Sequence, residues 1–227
     1  MYKKIPNINA RDFATILNIN PYQTPFNLLE QKIEGKFPFF GNKFTDHGNK
    51  YESLALKVYE KESKNKVDPN QKNIKHPDYD WITGRLDGIS VIELSIINKE
   101  NKNKRRKVDT NCIVEIKCPL KVNREEPLTV DNIPKYYWSQ CQVYMEMINC
   151  EYTHYVEYYI APNAPEDSGV LHYVTVKRDR EWWSSALPKI KAYREEMLKY
   201  HKLGSLDTHP VRISEKNWEF NLETSCN

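Results

Sequence analysis

None of the five cysteines (Cys112, Cys118, Cys141, Cys150 and Cys226) falls in a CxxC or CxxH pattern, and their number is odd. Neither a disulfide framework nor a structural zinc site is expected, and a reducing compartment suits such thiols. No apolar run approaches the roughly 20 residues that span a bilayer. Met1-Tyr2-Lys3-Lys4-Ile5-Pro6 is not followed by a signal-peptide core, so a soluble, intracellular protein with no membrane partner is expected. Charge of one sign is also lacking: 34 Lys and Arg against 31 Asp and Glu leave a net +3, and affinity for a polyanion must come from local clusters. No internal repeat and no shift of composition divides the 227 residues, which favours one substantial α/β domain.

Aromatic residues, by contrast, are plentiful: 15 Tyr and 5 Trp suit a packed core and argue against disorder. From the amino end, Asn9 can cap a short helix carrying Phe13, Ile16 and Leu17, which Asn20-Pro21-Tyr22 stops. Thr24-Pro25 starts a second helix through Phe26, Leu29 and Ile33. Arg11 lies in the first turn of the first helix, where free N–H groups and the helix dipole favour an anion. It reads as a phosphate contact or as a solvated surface arginine. Between Thr45 and Lys61 the spacing of Tyr51, Leu54, Ala55, Val58 and Tyr59 predicts an amphipathic helix capped by Thr45 or Asp46. Gly48, Glu52, Ala55 and Tyr59 share one side of it, so Glu52 either faces the domain across a gap left by the glycine or is an ordinary exposed glutamate.

Ser63 to Pro77 reads as a long polar connection. Trp81 to Ile97 is strand-like, and Gly84 and Gly88 bracket Asp87 where the backbone must turn or come close to something. Residues 98–107 hold six basic side chains against one acidic; the run is a solvated hairpin tip, a localisation signal or a phosphate-touching loop. After an Asp109-Thr110-Asn111 turn, Cys112 to Cys118 predicts a short buried strand closed by Pro119. Glu115 and Lys117 then share one face of that strand, which is costly for two charges unless they are paired. A buried salt bridge explains this blandly, and a metal-dependent site explains it sharply. Asp131-Asn132-Ile133-Pro134 starts another helix, with Tyr137, Cys141, Tyr144, Met145 and Ile148 inward and Gln140 on the same side. Tyr152–Ala161 and Val170–Lys177 alternate as strands joined by a turn at 162–169, and Arg180 to Tyr200 predicts a helix interrupted near Pro188. Residues 203–227 read as a loosely attached tail.

A divalent metal can drive hydrolysis of a phosphodiester at neutral pH by neutralising the phosphate and acidifying a water, and hard Mg²⁺ wants a few carboxylate oxygens while keeping several waters. Asp87 and Glu115 are the natural ligands, with the backbone carbonyl of Ile116 a further oxygen. Lys117 can orient the attacking water or stabilise charge on the phosphate. An Asp…Glu-x-Lys pattern alone is short enough to arise by chance; its setting between the helix of Glu52 and the helix of Gln140 raises it.

The ordered set Gly48-x-x-Tyr51-Glu52, Gly84-Arg85-Leu86-Asp87-Gly88, Glu115-Ile116-Lys117 and Gln140-x-Gln142 resembles the PD-(D/E)xK nuclease superfamily, specifically its lambda-type exonuclease or YqaJ-like viral recombinase family. Ile8-Asn9-Ala10-Arg11-Asp12 through Asn20-Pro21-Tyr22 is similar to that family's N-terminal module, although the family usually has serine where Arg11 stands. The proline of the superfamily name is absent, with Arg85-Leu86 preceding Asp87. The resemblance covers roughly residues 8 to 178. It implies an α/β fold with a central mixed sheet flanked by helices, a restriction-endonuclease-like core, and an N-terminal helical module. A single nuclease domain over 1–202 is expected, with the module at 8–42, the catalytic core at 43–178 and a C-terminal helix at 179–202. The implied activity is 5′-to-3′ exonuclease action on double-stranded DNA ends with Mg²⁺ or Mn²⁺, in viral-type recombination or end resection, in the host cytoplasm or nucleus. The resemblance implies that Asp87 and Glu115 bind metal, Lys117 serves the water, Glu52 contacts metal or its waters and Gln140 supports the site; family members often hold the 5′-phosphate in a basic pocket near the N-terminal module, and Arg11 is the candidate for that contact here without being a motif match. Some members of that family pair with a single-strand annealing protein and form ring-shaped homo-trimers. The alternatives are an endonuclease of the same fold and a non-catalytic nucleic-acid-binding module. An iron–sulfur relative is disfavoured by the cysteine spacing.

Overall fold

A computed structural model describes residues 4–36, 41–68, 73–97, 105–121, 126–161, 164–165 and 168–214. Two mixed sheets carry the chain. The larger has the order β2-β5-β6-β7-β8, built from Val67–Asp68, Gly88–Ile97, Arg105–Lys117, Tyr152–Tyr159 and Val170–Lys177. All its neighbours are antiparallel except β6 and β7, which run parallel and therefore need a crossover. Helix α4 (Lys135–Met147) lies in that connection. The smaller sheet has the order β1-β4-β3, from Ile8–Asn9, Ile82–Arg85 and Asn73–Lys75, and so ties the first described residues to the strand that leads into Asp87.

Both faces of the larger sheet are covered, which explains why its central strands read as continuous apolar runs. On one face Ile113 of β6 and Tyr155 of β7 join Phe13, Tyr144, Ile190 and Tyr193, from α1 (Asp12–Ile16), α4 and α5 (Arg180–Leu203). On the other, Val114, Ile116 and Val156 meet Tyr51, Ala55 and Tyr59 of α3 (Lys43–Ser63). Period-two alternation along β6 thus sends Glu115 and Lys117 to the α4 side and Ile116 to the α3 side. Cys112, Cys118, Cys141 and Cys150 are free and buried, and burial pushes the Cys112 and Cys118 thiols up to about 12.

Several elements differ from their expected form. The cap of α3 is Asn42, not Thr45 or Asp46. The Asn42 side chain accepts from the Phe44 and Thr45 N–H groups, while the Thr45 hydroxyl takes the Asn42 N–H at 2.8 Å. The box forms one turn earlier because Thr45 acts as its third residue. Asn9 does not cap α1; its own N–H donates to Asp12 Oδ2 at 2.8 Å, and Arg11 holds the cap position. Asp109-Thr110-Asn111 is strand, not turn: these residues pair with Glu93, Ile92 and Val91, so β6 begins at Arg105. The expected tip at 98–107 lies outside the described residues up to 104, and 105–107 belong to β6. The connection after Ser63 contains the short strands β2 and β3. Helix α5 runs through Pro188 without interruption, held by the buried Trp183, Ala186, Ile190 and Tyr193 on either side.

Residues 204–214 are not a loose tail. Leu206 is fully buried, and its N–H donates to Glu34 at 2.9 Å. His209 packs between Phe26 of α2 (Pro25–Leu29) and Tyr200, and Arg212 pairs with Glu30 and Glu34. Phe26, Glu30 and Glu34 lie more than 170 residues from these partners in sequence and leave no local pattern. Leu206→Ala is expected to cost about 2–5 kcal/mol, as for other fully buried leucines, read as a lower urea midpoint. A change under about 0.5 kcal/mol, the scale of a surface substitution, would show that the segment does not hold the N-terminal helices.

Candidate active site

Strand β5 begins at Gly88, opposite Val114 of β6, so Glu115, Ile116 and Lys117 run past it and lack a strand partner on that side. The carboxylate of Asp87 fills the first vacant place in the ladder, with Oδ2 accepting the Ile116 N–H at 2.8 Å. Because the N–H and C=O of one strand residue point to the same side, the Ile116 carbonyl opens on the side of Asp87. The two glycines around Asp87 serve close approach and not a turn: neither has a positive φ. A Cβ on Gly84 would lie 2.5 Å from the Tyr144 ring, and one on Gly88 2.3 Å from Val67 Cγ1. The Tyr144 ring therefore lies directly on β4, and its hydroxyl donates to the Arg85 carbonyl at 2.8 Å.

Glu115 is 1 % exposed. Its Oε1 is crowded: Lys117 Nζ makes an ion pair with it, and Gln140 Nε2 donates to it at 2.9 Å. Gln140 Nε2 also reaches the Tyr144 hydroxyl at 3.1 Å, which closes a chain of contacts from Glu115 through α4 to the backbone beside Asp87. The other oxygen, Oε2, is buried with no hydrogen-bond partner. Such a group costs about 1–3 kcal/mol, and a salt bridge alone does not require it. The bland pairing of Glu115 with Lys117 is thus real but accounts for half of the carboxylate.

Burial pushes the Glu115 carboxyl up to about 8, with the nearby Asp87 charge acting in the same direction and Lys117 opposing. Burial disfavours the Lys117 ammonium, yet Glu115 and Asp87 outweigh it and hold that group above the usual lysine range. The Tyr137 ring, 4.9 Å from Lys117 Nζ, adds a cation–π contact.

Ile116, Lys117 and Cys118 line an open cavity of about 1260 Å³, together with Gly48, Asn49 and Glu52 of α3, Tyr136 and Tyr137, and Tyr155 and Glu157. Direct contacts and charge bring Asp87, Glu115, Lys117 and Gln140 together; of these Lys117 lines the cavity, and Glu52 stands on its wall. Gly48 has open space where a Cβ would be. Arg11 is exposed and is not among the lining residues. Gln142 has a separate job, bonding the Lys177 carbonyl and the Asp179 N–H at the start of α5. Sequence reasoning missed the roles of Tyr137 and Tyr144, three before and four after Gln140 on one helical stripe; that spacing was the available signal.

Among the described residues no three His, Cys, Asp or Glu side chains form a metal-holding cluster by themselves. A Mg²⁺-type site does not require one, since that ion usually takes one or two carboxylates and keeps several waters. The unpartnered Glu115 oxygen, Asp87 and an open backbone carbonyl are hard oxygen donors of that kind.

Comparison with known proteins follows the same lines. A family model described as the YqaJ-like viral recombinase domain matches residues 4–151. An uncharacterized protein of Acanthamoeba polyphaga mimivirus is 28 % identical over 156 residues, covering 66 % of this chain and 27 % of that protein. The chain thus spans about a quarter of the length of this curated relative. Among solved structures, an alkaline exonuclease from Laribacter hongkongensis superposes with a TM-score of 0.65 at 18 % identity, over 88 % of this chain and 92 % of the other. A phage-related exonuclease from Haemophilus somnus gives 0.57 at 18 % identity, over 86 % and 93 %. At such identity the likeness establishes the mixed α/β fold.

The pH behaviour of Glu115 follows from its shift. Between its ordinary value of 4.5 and about 8 the folded state holds a proton that the unfolded state has released, so stability falls as pH rises through that window. Urea midpoints in EDTA are expected to drop from pH 6 to pH 9, and to lose most of that slope in Glu115→Gln. Equal slopes in the two proteins would contradict the buried, half-satisfied carboxylate.

Proposed function

Since the chain belongs to the YqaJ-like viral recombinase family, we propose that it is a divalent-metal-dependent deoxyribonuclease that digests linear duplex DNA from an end. The family and the fold it shares with exonuclease structures support a nuclease. The observation that carries the chemistry is the Glu115 carboxylate, buried with one oxygen bound by Lys117 and Gln140 and the other unpartnered. Asp87, Glu115 and the Ile116 carbonyl would hold Mg²⁺ or Mn²⁺, with Glu52 acting through a water. A bound metal of this kind neutralises the phosphate and acidifies a water at neutral pH.

The remaining work belongs to the protein's own groups. Lys117 lines the cavity and stays charged, so its ammonium orients the attacking water and meets negative charge growing on the phosphate. The Tyr137 ring and Glu115 fix that ammonium in place. Gln140 and Tyr144 fix Glu115 relative to the Asp87 segment, so the two carboxylates keep one spacing through turnover. Arg11 as the 5′-phosphate contact, 5′-to-3′ polarity, an annealing-protein partner, a ring-shaped trimer and a role in viral recombination belong to the same reading. The mimivirus relative is consistent with a viral setting inside a host cell, and no described helix is long and apolar enough to cross a membrane.

The assay is loss of linear duplex with 5′-phosphate or 5′-hydroxyl ends, with and without Mg²⁺ or Mn²⁺, beside a covalently closed circle. Metal-dependent loss of the linear form, faster from 5′-phosphate and sparing the circle, is expected. Asp87→Asn and Lys117→Ala are each expected to lower the rate at least about 10²-fold, the scale of a lost charge-stabilising group, in proteins that circular dichroism shows to be folded. Cutting of the closed circle would identify an endonuclease, and full activity in either variant would remove these residues from the chemistry.

A further inference from the structure

Among the described residues three large aromatic side chains are exposed: Tyr22, Phe44 and Tyr173. A single exposed ring is ordinary on a protein surface. Tyr22 and Phe44, however, both line the cavity that Lys117 lines, and they stand there 81 % and 51 % exposed. They come from different elements, Tyr22 from the turn after α1 and Phe44 from the first turn of α3. Two flat apolar surfaces are thus presented to whatever enters one cavity.

Tyr22 is joined to the reacting groups by contact. Its ring meets Tyr136 at a steep angle with centroids 5.8 Å apart, Tyr136 leans on Tyr137 at 4.4 Å, and the Tyr137 ring in turn carries Lys117 Nζ. The turn that bears Tyr22 is fixed as well: the Tyr22 N–H donates to Asn20 Oδ1 at 3.0 Å, and Asn20 Nδ2 donates to the hydroxyl of the buried Thr15 of α1 at 2.8 Å. The charged lining does not favour a phosphate backbone, since Lys117 and Lys121 stand against Glu52, Glu126 and Glu157. Rings are what this mouth offers a nucleic acid. A ring can stack only on a bare base face. Inside a duplex every pair is covered by its neighbours, and uncovering one costs a few kcal/mol; the last pair has one face free.

We infer that Tyr22 and Phe44 are a stacking platform for the terminal base of the strand being cut, and that this platform makes the site select DNA ends over continuous duplex. This rests on the nuclease reading above. Stacking is tolerant of sequence because every base has a π-face, which suits an enzyme that meets each nucleotide of a strand in turn.

Digestion with Mg²⁺ or Mn²⁺ of a linear duplex bearing a 5′-phosphate, beside the same duplex whose 5′-terminal nucleotide lacks its base, tests the platform. For the wild type the abasic end is expected to raise KM about five- to 150-fold, the range of one lost base–aromatic stack, with little change in kcat. Tyr22→Ala/Phe44→Ala is expected to show the raised KM on the normal end already and to lose nothing further on the abasic one. Tyr22→Phe, which keeps the ring, is expected to behave as the wild type. Substitutions at such exposed positions leave a fold standing, which circular dichroism verifies. Fluorescence anisotropy in EDTA supplies a readout free of catalysis: the wild type is expected to bind an open-ended duplex more tightly than the same duplex closed by a hairpin loop at each end, and the double variant to bind the two alike. Equal abasic penalties in the wild type and the double variant, with metal-dependent digestion intact, overturn the platform and leave the nuclease reading standing. A wild type that digests no linear DNA overturns the nuclease reading, and one that also binds open and closed duplexes alike overturns both.

Discussion

The site depends on one carboxylate that the fold buries and only half satisfies. Glu115 sits in the central strand of a sheet covered on both faces, where an acid is among the costliest residues to place. Lys117 and Gln140 converge on one of its oxygens and leave the other bare. An arrangement selected only for stability would fill that second oxygen or replace the pair with apolar side chains. The cost is reasonable where a divalent cation completes the coordination, because an oxygen already desolvated and aimed has little left to reorganise when the ion binds.

The architecture around it follows from strand lengths. Strand β5 stops at the level of Val114 while β6 continues to Lys117, so the last three residues of β6 have an unpaired flank. Asp87 takes the place of the missing strand at the Ile116 N–H, and the adjacent carbonyl opens toward the same place. The proposed metal site needs no dedicated loop, because its donors gather at the step where one strand outruns its neighbour. Helix α4 reinforces the step from one face through Gln140 and Tyr144, and α3 brings Glu52 around from the other.

Much of this was legible in the sequence because it was local. Period-two alternation gave the strand of Glu115 and the shared face with Lys117; helical spacing placed Gln140 on the inward side of α4 and Glu52 beside the apolar stripe of α3. Two glycines around Asp87 signalled close approach, and Tyr144 and Val67 prove to be the groups that approach. What could not be read was long-range. Asp109-Thr110-Asn111 has turn composition, yet pairing with β5 draws it into a strand. Leu206, His209 and Arg212 are held by residues 26 to 34, far away in the chain. That one Glu115 oxygen would be saturated and the other empty depends on the simultaneous placement of three elements, and no spacing rule reaches it.

The central claim is that the bare Glu115 oxygen is a metal donor in waiting. Titration of the DNA-free protein with Mn²⁺ by isothermal calorimetry at pH 8, for the wild type and Glu115→Gln, tests it without reference to nuclease activity. The account predicts saturable binding in the wild type, weakened at least about tenfold, or about 1.4 kcal/mol, in the variant. Equal Mn²⁺ affinity in the two proteins would contradict it.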